Sequence, residues 1–138
     1  MESQPIFSGP CISLYTITSQ AEDFFAGLDS REARDLEVAA TVLDTSFRLG
    51  RPPGGRAERV MGSDAGLWEL RVTPQGRKGP HTRCMYICQQ RELLIVRGVR
   101  KAQRGIARRD IELAERDVKL WREARDERKR GADPRGSP

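Results

Sequence analysis

The residues best suited to chemistry are cations set into strand-like runs. Gly66-Leu67-Trp68-Glu69-Leu70-Arg71 ends in an arginine and Arg83-Cys84-Met85-Tyr86 opens with one. Leu93-Leu94-Ile95-Val96-Arg97-Gly98-Val99-Arg100-Lys101 carries its cations at the end, and Arg104 follows. Extended chain sends successive side chains to opposite sides of a sheet. Cations repeated along neighbouring strands therefore make a cationic sheet surface, which suits a phosphate backbone.

Charge counted along the chain sharpens this. Residues 1–65 hold six Lys/Arg against ten Asp/Glu, residues 66–109 eleven against two, and residues 110–138 eight of each. The overall charge of +5 thus conceals a middle segment of +9. Charge so concentrated is an argument about partners: nucleic acid, an anionic membrane or an acidic protein. At 138 residues the chain is read as one domain with a modest core, because its mean hydropathy is low (−0.64). No apolar run approaches the length of a membrane span. The N-terminus lacks a basic stretch followed by an apolar one, so no signal peptide is expected. Three cysteines, Cys11, Cys84 and Cys88, are an odd count that points to a reducing cytosol and a cytoplasmic protein.

The elements that must position the cations follow from periodicity. Cys11–Thr18 reads as a strand. Ser19-Gln20-Ala21-Glu22 reads as a capping box that opens a short helix, with Phe24, Phe25 and Leu28 inward. Asp29 or Ser30 caps a second helix whose apolar stripe is Leu36, Ala39/Ala40, Leu43 and Phe47, and Gly50 before Pro52-Pro53 stops it. Arg51–Asp64 is a Gly/Pro/Arg-rich connector. Strands follow over Gly66–Thr73, His81–Gln89 and Glu92–Val99, with Leu93–Ile95 buried on both faces as a central strand. After a basic loop, 100–109, a long helix starts near Asp110 with Ile111, Ala114, Val118 and Trp121 inward. The order is βααβββα. The last three strands form an antiparallel meander, the two early helices cover one face, and the other face is left partly open.

This order, with these residues, resembles the RelE/ParE toxin superfamily of bacterial type II toxin–antitoxin systems, and within it the HigB-like, phage-derived branch. The motifs that carry the resemblance are Gly66–Arg71, the Arg-x-x-Tyr of Arg83–Tyr86, the apolar strand leading to Lys101, and Asp110-Ile111-Glu112-Leu113-Ala114 at the last helix. They cover roughly residues 20–123. Where the family has a histidine this chain has Arg97, its phenylalanine is Val99, the second lysine of its pair is Ala102, and its helix-opening proline is Ala107. The resemblance implies an α+β, RelE-like fold: one toxin domain over 1–127, then a disordered basic tail over 128–138. It also implies a ribosome-dependent mRNA endoribonuclease in which the RNA's own 2′-hydroxyl attacks the adjacent phosphate. Its implied partners are mRNA on the ribosome and a cognate helix-turn-helix antitoxin. Neither a metal, a small-molecule cofactor nor a membrane is expected.

Such a site needs positive charge around the phosphate in the transition state, a base for the hydroxyl and an acid for the leaving oxygen. Arg71 and Arg83 are the phosphate clamps, because guanidinium binds phosphate oxygens bidentately. Lys101 adds charge, or serves as base if neighbouring arginines depress its pKa. Tyr86 stacks on a base or belongs to the core, and Arg97, Arg100 and Arg104 contact RNA or end in water. Arg83 shares a face with Met85 and Ile87 by alternation, which calls for a bulge or a partly apolar face. Trp68 alternates with Leu70 and Val72 and is read as core. His81, the lone histidine, is read as a surface residue beside Gly79-Pro80. Cys84 and Cys88 are read as buried apolar residues, about 13 Å apart at strand rise and too distant to share zinc. No Lys-Ser/Thr follows Gly50–Gly55, so no P-loop is present, and no carboxylate pair near the basic strands speaks for a two-metal nuclease. Two other functions fit the same scaffold: a ParE-like toxin that inhibits DNA gyrase without cutting RNA, and a catalytically silent nucleic-acid or protein-binding module.

Overall fold

Six strands form a single mixed sheet. The structure, a computed structural model, describes residues 4–52, 54–101 and 105–132. In chain order the elements are β1 (Phe7–Ser8), β2 (Ser13–Thr16), α1 (Ser19–Ala26), α2 (Ser30–Leu49), a 3-10 turn at Gly54–Arg56, β3 (Ala57–Arg59), β4 (Trp68–Arg71), β5 (His81–Gln89), β6 (Glu92–Lys101) and α3 (Arg108–Ala132). The sheet order is β1-β2-β6-β5-β4-β3. The meander β4–β5–β6 is antiparallel as expected, but β2 lies parallel to β6, so the sheet is mixed rather than antiparallel. Residue patterning marks which face a strand buries and carries no information on the direction of its neighbour. No described helix is long and apolar enough to cross a membrane.

The central strands are apolar on both sides because both sides are covered. On one face Leu14, Leu70, Cys84, Tyr86, Leu93 and Ile95 pack against Leu36, Ala39, Ala40 and Leu43 of α2. On the other, Met85, Ile87, Leu94 and Val96 pack against Ile111, Ala114 and Val118 of α3, with Trp121 at the edge. The second face is open only in part: α3 covers it along Met85, Ile87, Leu94 and Val96. Beyond Trp121 the helix is mainly exposed, and it continues through 128–132, residues assigned above to the tail. Residues 133–138 lie outside the described residues. Two short strands were also missed, β1 and β3, the latter inside the Gly/Pro-rich connector, where three residues are too few to show alternation.

Caps set the helix entries. Thr18, not Ser19, caps α1: its hydroxyl accepts from Ala21 N–H and donates to the Val96 carbonyl at 2.6 Å. Asp29 caps α2 in a capping box with Glu32, and Gly50 at φ 65° ends it in the left-handed conformation. Past the end of β2, Gln20 takes over the edge of β6. Its amide donates to the Gly98 carbonyl at 2.8 Å and accepts from the Gly98 N–H at 2.9 Å, replacing a strand neighbour.

A β-bulge in β6 then sorts the cations. Met85 pairs with Arg97 but Tyr86 pairs with Ile95, so Val96 is the extra residue. Beyond it Arg97 and Lys101 face α3, while Gly98 and Arg100 face α1 and α2. Gly98 lies directly under Phe24, where a Cβ would sit 2.2 Å from a ring carbon. Gly98→Ala is expected to cost about 1–3 kcal/mol by overpacking, measured by urea unfolding, with Gly27→Ala as a milder control, since its added Cβ would meet nothing closer than 3.4 Å.

Candidate functional site

The site lies where β3, β4 and β5 present charged residues on the α3-side face beyond the apolar patch. Register places Glu58 of β3 opposite Glu69 of β4, and Arg71 of β4 opposite Arg83 of β5. Like charges directly opposite one another destabilise a sheet. Here two such pairs lie next to each other, and each is relieved diagonally: Arg71 is ion-paired with Glu58 and Arg83 with Glu69. The two ion pairs differ sharply in exposure. The Arg83 and Glu69 side chains are each 9% exposed, whereas Arg71 and Glu58 are 38% and 55% exposed. Arg56 secures the end of β4 by donating to the Arg71 and Val72 carbonyls, both at 3.1 Å. The Nε groups of Arg71 and Arg83 are buried without a hydrogen-bond partner among the described residues. A cavity of about 430 Å³ opens here, lined by Arg56, Glu58, Glu69, Arg71, His81 and Arg83 among others.

Of the cations expected to act together, those among the described residues that reach this cavity are Arg71 and Arg83. Arg83 does share its face with Met85 and Ile87, and the partly apolar character of that face, packed on α3, accommodates it. Lys101 and Arg97 turn instead to Asp110 in the first turn of α3, at 3.6 and 3.1 Å. Lys101 thus shares the Asp110 carboxylate with Arg97 and does not line the cavity of Arg71 and Arg83. Arg97 does not end a strand in water. Arg100 is on the opposite face, bidentate to Glu32 at 2.9 and 3.0 Å and stacked 4.8 Å over the Phe24 ring. Arg104 lies outside the described residues. Tyr86 is 2% exposed in the core, so its ring offers no face to a base, and burial pushes its phenol far up. Cys84 is core as expected, its thiol pushed up to about 12 by burial and then by Glu69, whereas Cys88 is exposed rather than buried. Trp68 packs on the core as read.

Three residues of the cavity escaped sequence reasoning. Glu58 lay in a segment read as connector, so the carboxylate pair Glu58/Glu69, thought absent, became visible only with β3. Glu69 was counted as one of two acids in a basic segment, and its contact with Arg83 is a cross-strand diagonal. His81 begins β5, and its Nε2 sits 2.7 Å from the Arg77 carbonyl. A larger groove of about 990 Å³, between β1 and the two early helices, is lined mainly by apolar side chains such as Phe7, Phe25 and Leu36. It lacks such a set of opposed acids and cations. No family model matches the chain, and no curated protein matches it.

Two stability tests follow. Removing one member of a buried ion pair strands the other charge, at a cost of about 3–5 kcal/mol. Glu69→Ala should show a loss of that order in denaturant unfolding, with much of it recovered in Glu69→Met/Arg83→Met. On the opposite face, Glu32 accepts from Arg100 first of all, and also from Thr82 and the Asp29 N–H. These bonds outweigh its desolvation and hold its carboxyl at about 2 instead of 4.5. The folded pKa is the lower one, so this contribution is complete above pH 4.5 and is lost as pH falls towards 2. Over that interval the wild-type melting temperature should fall more than that of Glu32→Gln, followed by circular dichroism.

Proposed function

We propose that this chain is the toxin of a type II toxin–antitoxin pair: a RelE-like, HigB-like endoribonuclease that cuts mRNA on the ribosome. The observation that carries this reading is the pair of arginines, Arg71 and Arg83, held opposite each other in a cavity beside two carboxylates. A sheet gains no stability from opposing guanidinium groups, but such a pair suits a phosphodiester that gains negative charge during reaction. The sequence resemblance through Gly66–Arg71 and Arg83–Tyr86 supports the same reading, because it maps the family's arginines onto these two positions. The three helices and the six-stranded sheet with a C-terminal helix are compatible with a RelE-like topology.

In this reaction the RNA 2′-oxygen attacks phosphorus and the bond to the 5′-oxygen breaks. Arg71, partly exposed at the cavity mouth, meets the non-bridging oxygens. Arg83, fixed by Glu69, supplies charge from below. Each carboxylate is engaged by a guanidinium, and among the described residues no three of His, Cys, Asp and Glu gather as a metal-ligand set. The reading is the metal-independent one that the resemblance implies. A cytoplasmic helix-turn-helix antitoxin is the proposed partner, since free cationic surface binds RNA indiscriminately. One observation favours a ParE-like, non-cleaving toxin as second reading: Arg97 and Lys101 are drawn away to Asp110.

Induced expression in a bacterial host, with primer extension on a well-translated message, tests both. Growth arrest with new translation-dependent cuts is expected, and Arg71→Ala should abolish the cuts while keeping the wild-type melting temperature within a few degrees. Arg83→Ala is a poor probe because it strands Glu69. Arg83→Met/Glu69→Gln removes the cation without leaving a buried charge. Arrest without cuts selects the gyrase-type reading, and no arrest from a folded protein rejects both.

A further inference from the structure

The arginines explain how a phosphate could be held, but not how protons move. We propose that Glu58 and His81 are the general base and general acid of this cavity, a proposal that rests on the RNA-cleavage reading above. Both side chains line the cavity with Arg71 and Arg83. They come from strands on either side of β4: Glu58 from β3, His81 from β5.

Their placement is diagonal and centred on Arg71. Glu58 lies opposite Glu69, two residues before Arg71 on β4. His81 precedes Arg83 by two residues, and Arg83 lies opposite Arg71. At ordinary strand spacing and rise, the two backbones are about 16 Å apart with Arg71 at the midpoint. Displacement at phosphorus needs the base on the side of the attacking oxygen and the acid on the side of the leaving oxygen. A phosphate held at Arg71 meets that requirement with Glu58 on one flank and His81 on the other.

Of the two carboxylates, Glu58 is the one substrate can reach. Its side chain is 55% exposed, whereas Glu69 is 9% exposed and bound to Arg83. Glu69 is accordingly a positioning residue. His81 is oriented by its own turn: its Nε2 lies 2.7 Å from the Arg77 carbonyl, which can only accept, so Nε2 carries a proton. Nδ1 is left as the nitrogen that takes up and delivers a second proton. The charged groups around the imidazole among the described residues include Arg56, Arg71 and Arg83 in the cavity, Glu58 and Glu69 beside them, Arg77 in its own turn, and Lys101, its partner on β6.

The proton accounting closes. The 2′-hydroxyl proton passes to the Glu58 carboxylate as the 2′-oxygen bonds to phosphorus. The bond from phosphorus to the 5′-oxygen breaks, and that oxygen takes the Nδ1 proton of the His81 imidazolium. The products are a 2′,3′-cyclic phosphate and a 5′-hydroxyl. Glu58 then releases its proton to water and His81 recovers one.

The deciding experiment compares two messages on purified ribosomes: the natural RNA, and the same RNA with sulfur in place of the 5′-bridging oxygen at the bond that the wild type cuts. A thiolate leaves without protonation. His81→Gln, whose amide can still donate to the Arg77 carbonyl, should slow cleavage of natural RNA about 100-fold and come within about tenfold of wild type on the sulfur-substituted RNA. His81→Ala should behave the same way if it folds. Glu58→Gln should be slowed on both messages alike. Full activity of His81→Gln on natural RNA, an equal loss on both messages, or an active Glu58→Gln would overturn the assignment. A folded wild type that cuts neither message would remove the RNA-cleavage reading itself.

Discussion

The buried pair of Arg83 and Glu69 ties β5 to β4, the strand that carries the edge strand β3. Two charges at this depth lose most of their hydration, and only close mutual contact offsets that loss. Because the pair spans β4 and β5 diagonally, it holds the register in which Arg71 falls opposite Arg83 and Glu58 opposite Glu69. A slip of β4 by one residue would send Glu69 and Arg71 to the sheet face opposite to that of Glu58 and Arg83. The more exposed pair, Arg71 with Glu58, is the half able to exchange partners with a ligand, since water stabilises both groups when they separate.

The two apolar layers decide where this charge can gather. Helix α2 fills one face, and α3 covers the other only along the reach of Met85, Ile87, Leu94 and Val96. The charged rows start where the apolar contacts of α3 end, and the cavity they line is walled by charged and polar side chains and glycines. The bulge at Val96 matters equally. It brings Gly98 beneath Phe24 and assigns Arg100 to Glu32, leaving Arg97 and Lys101 on the face of the cavity but tied to Asp110.

Much of this was legible in the residues. The span of β5, the central position of β6 and the inward stripe of α3 follow from period-two and helical patterning, whereas alternation alone left the face of Arg83 in conflict with a site beside Arg71. Those signals are local. The parallel β2–β6 pairing, the bulge and the diagonal ion pairs are relations between distant segments, and a single strand's pattern does not encode them. The basic middle segment looked like free cationic surface because its acids come from elsewhere: Glu32 from α2, Glu58 from β3 and Asp110 from α3. Tyr86 matched a motif that could serve the surface or the core, and burial settled it. His81 gave no signal beyond its type, because what distinguishes it is the cavity it lines.

The parallel pairing of β2 with β6 also bears on how the chain acquires its shape. Contacts such as that between Thr18 and Val96 close a loop of 78 residues. Helices α1 and α2 can form early, since their caps are local. Their docking platform, however, is incomplete until β6 has been synthesised and paired on both edges. Long-range strand pairing is entropically costly and slow. During synthesis on the ribosome the sheet therefore stays incomplete until β6 has emerged, and a chain truncated before β6 leaves the cavity residues of β3–β5 without the strand that holds them in the sheet.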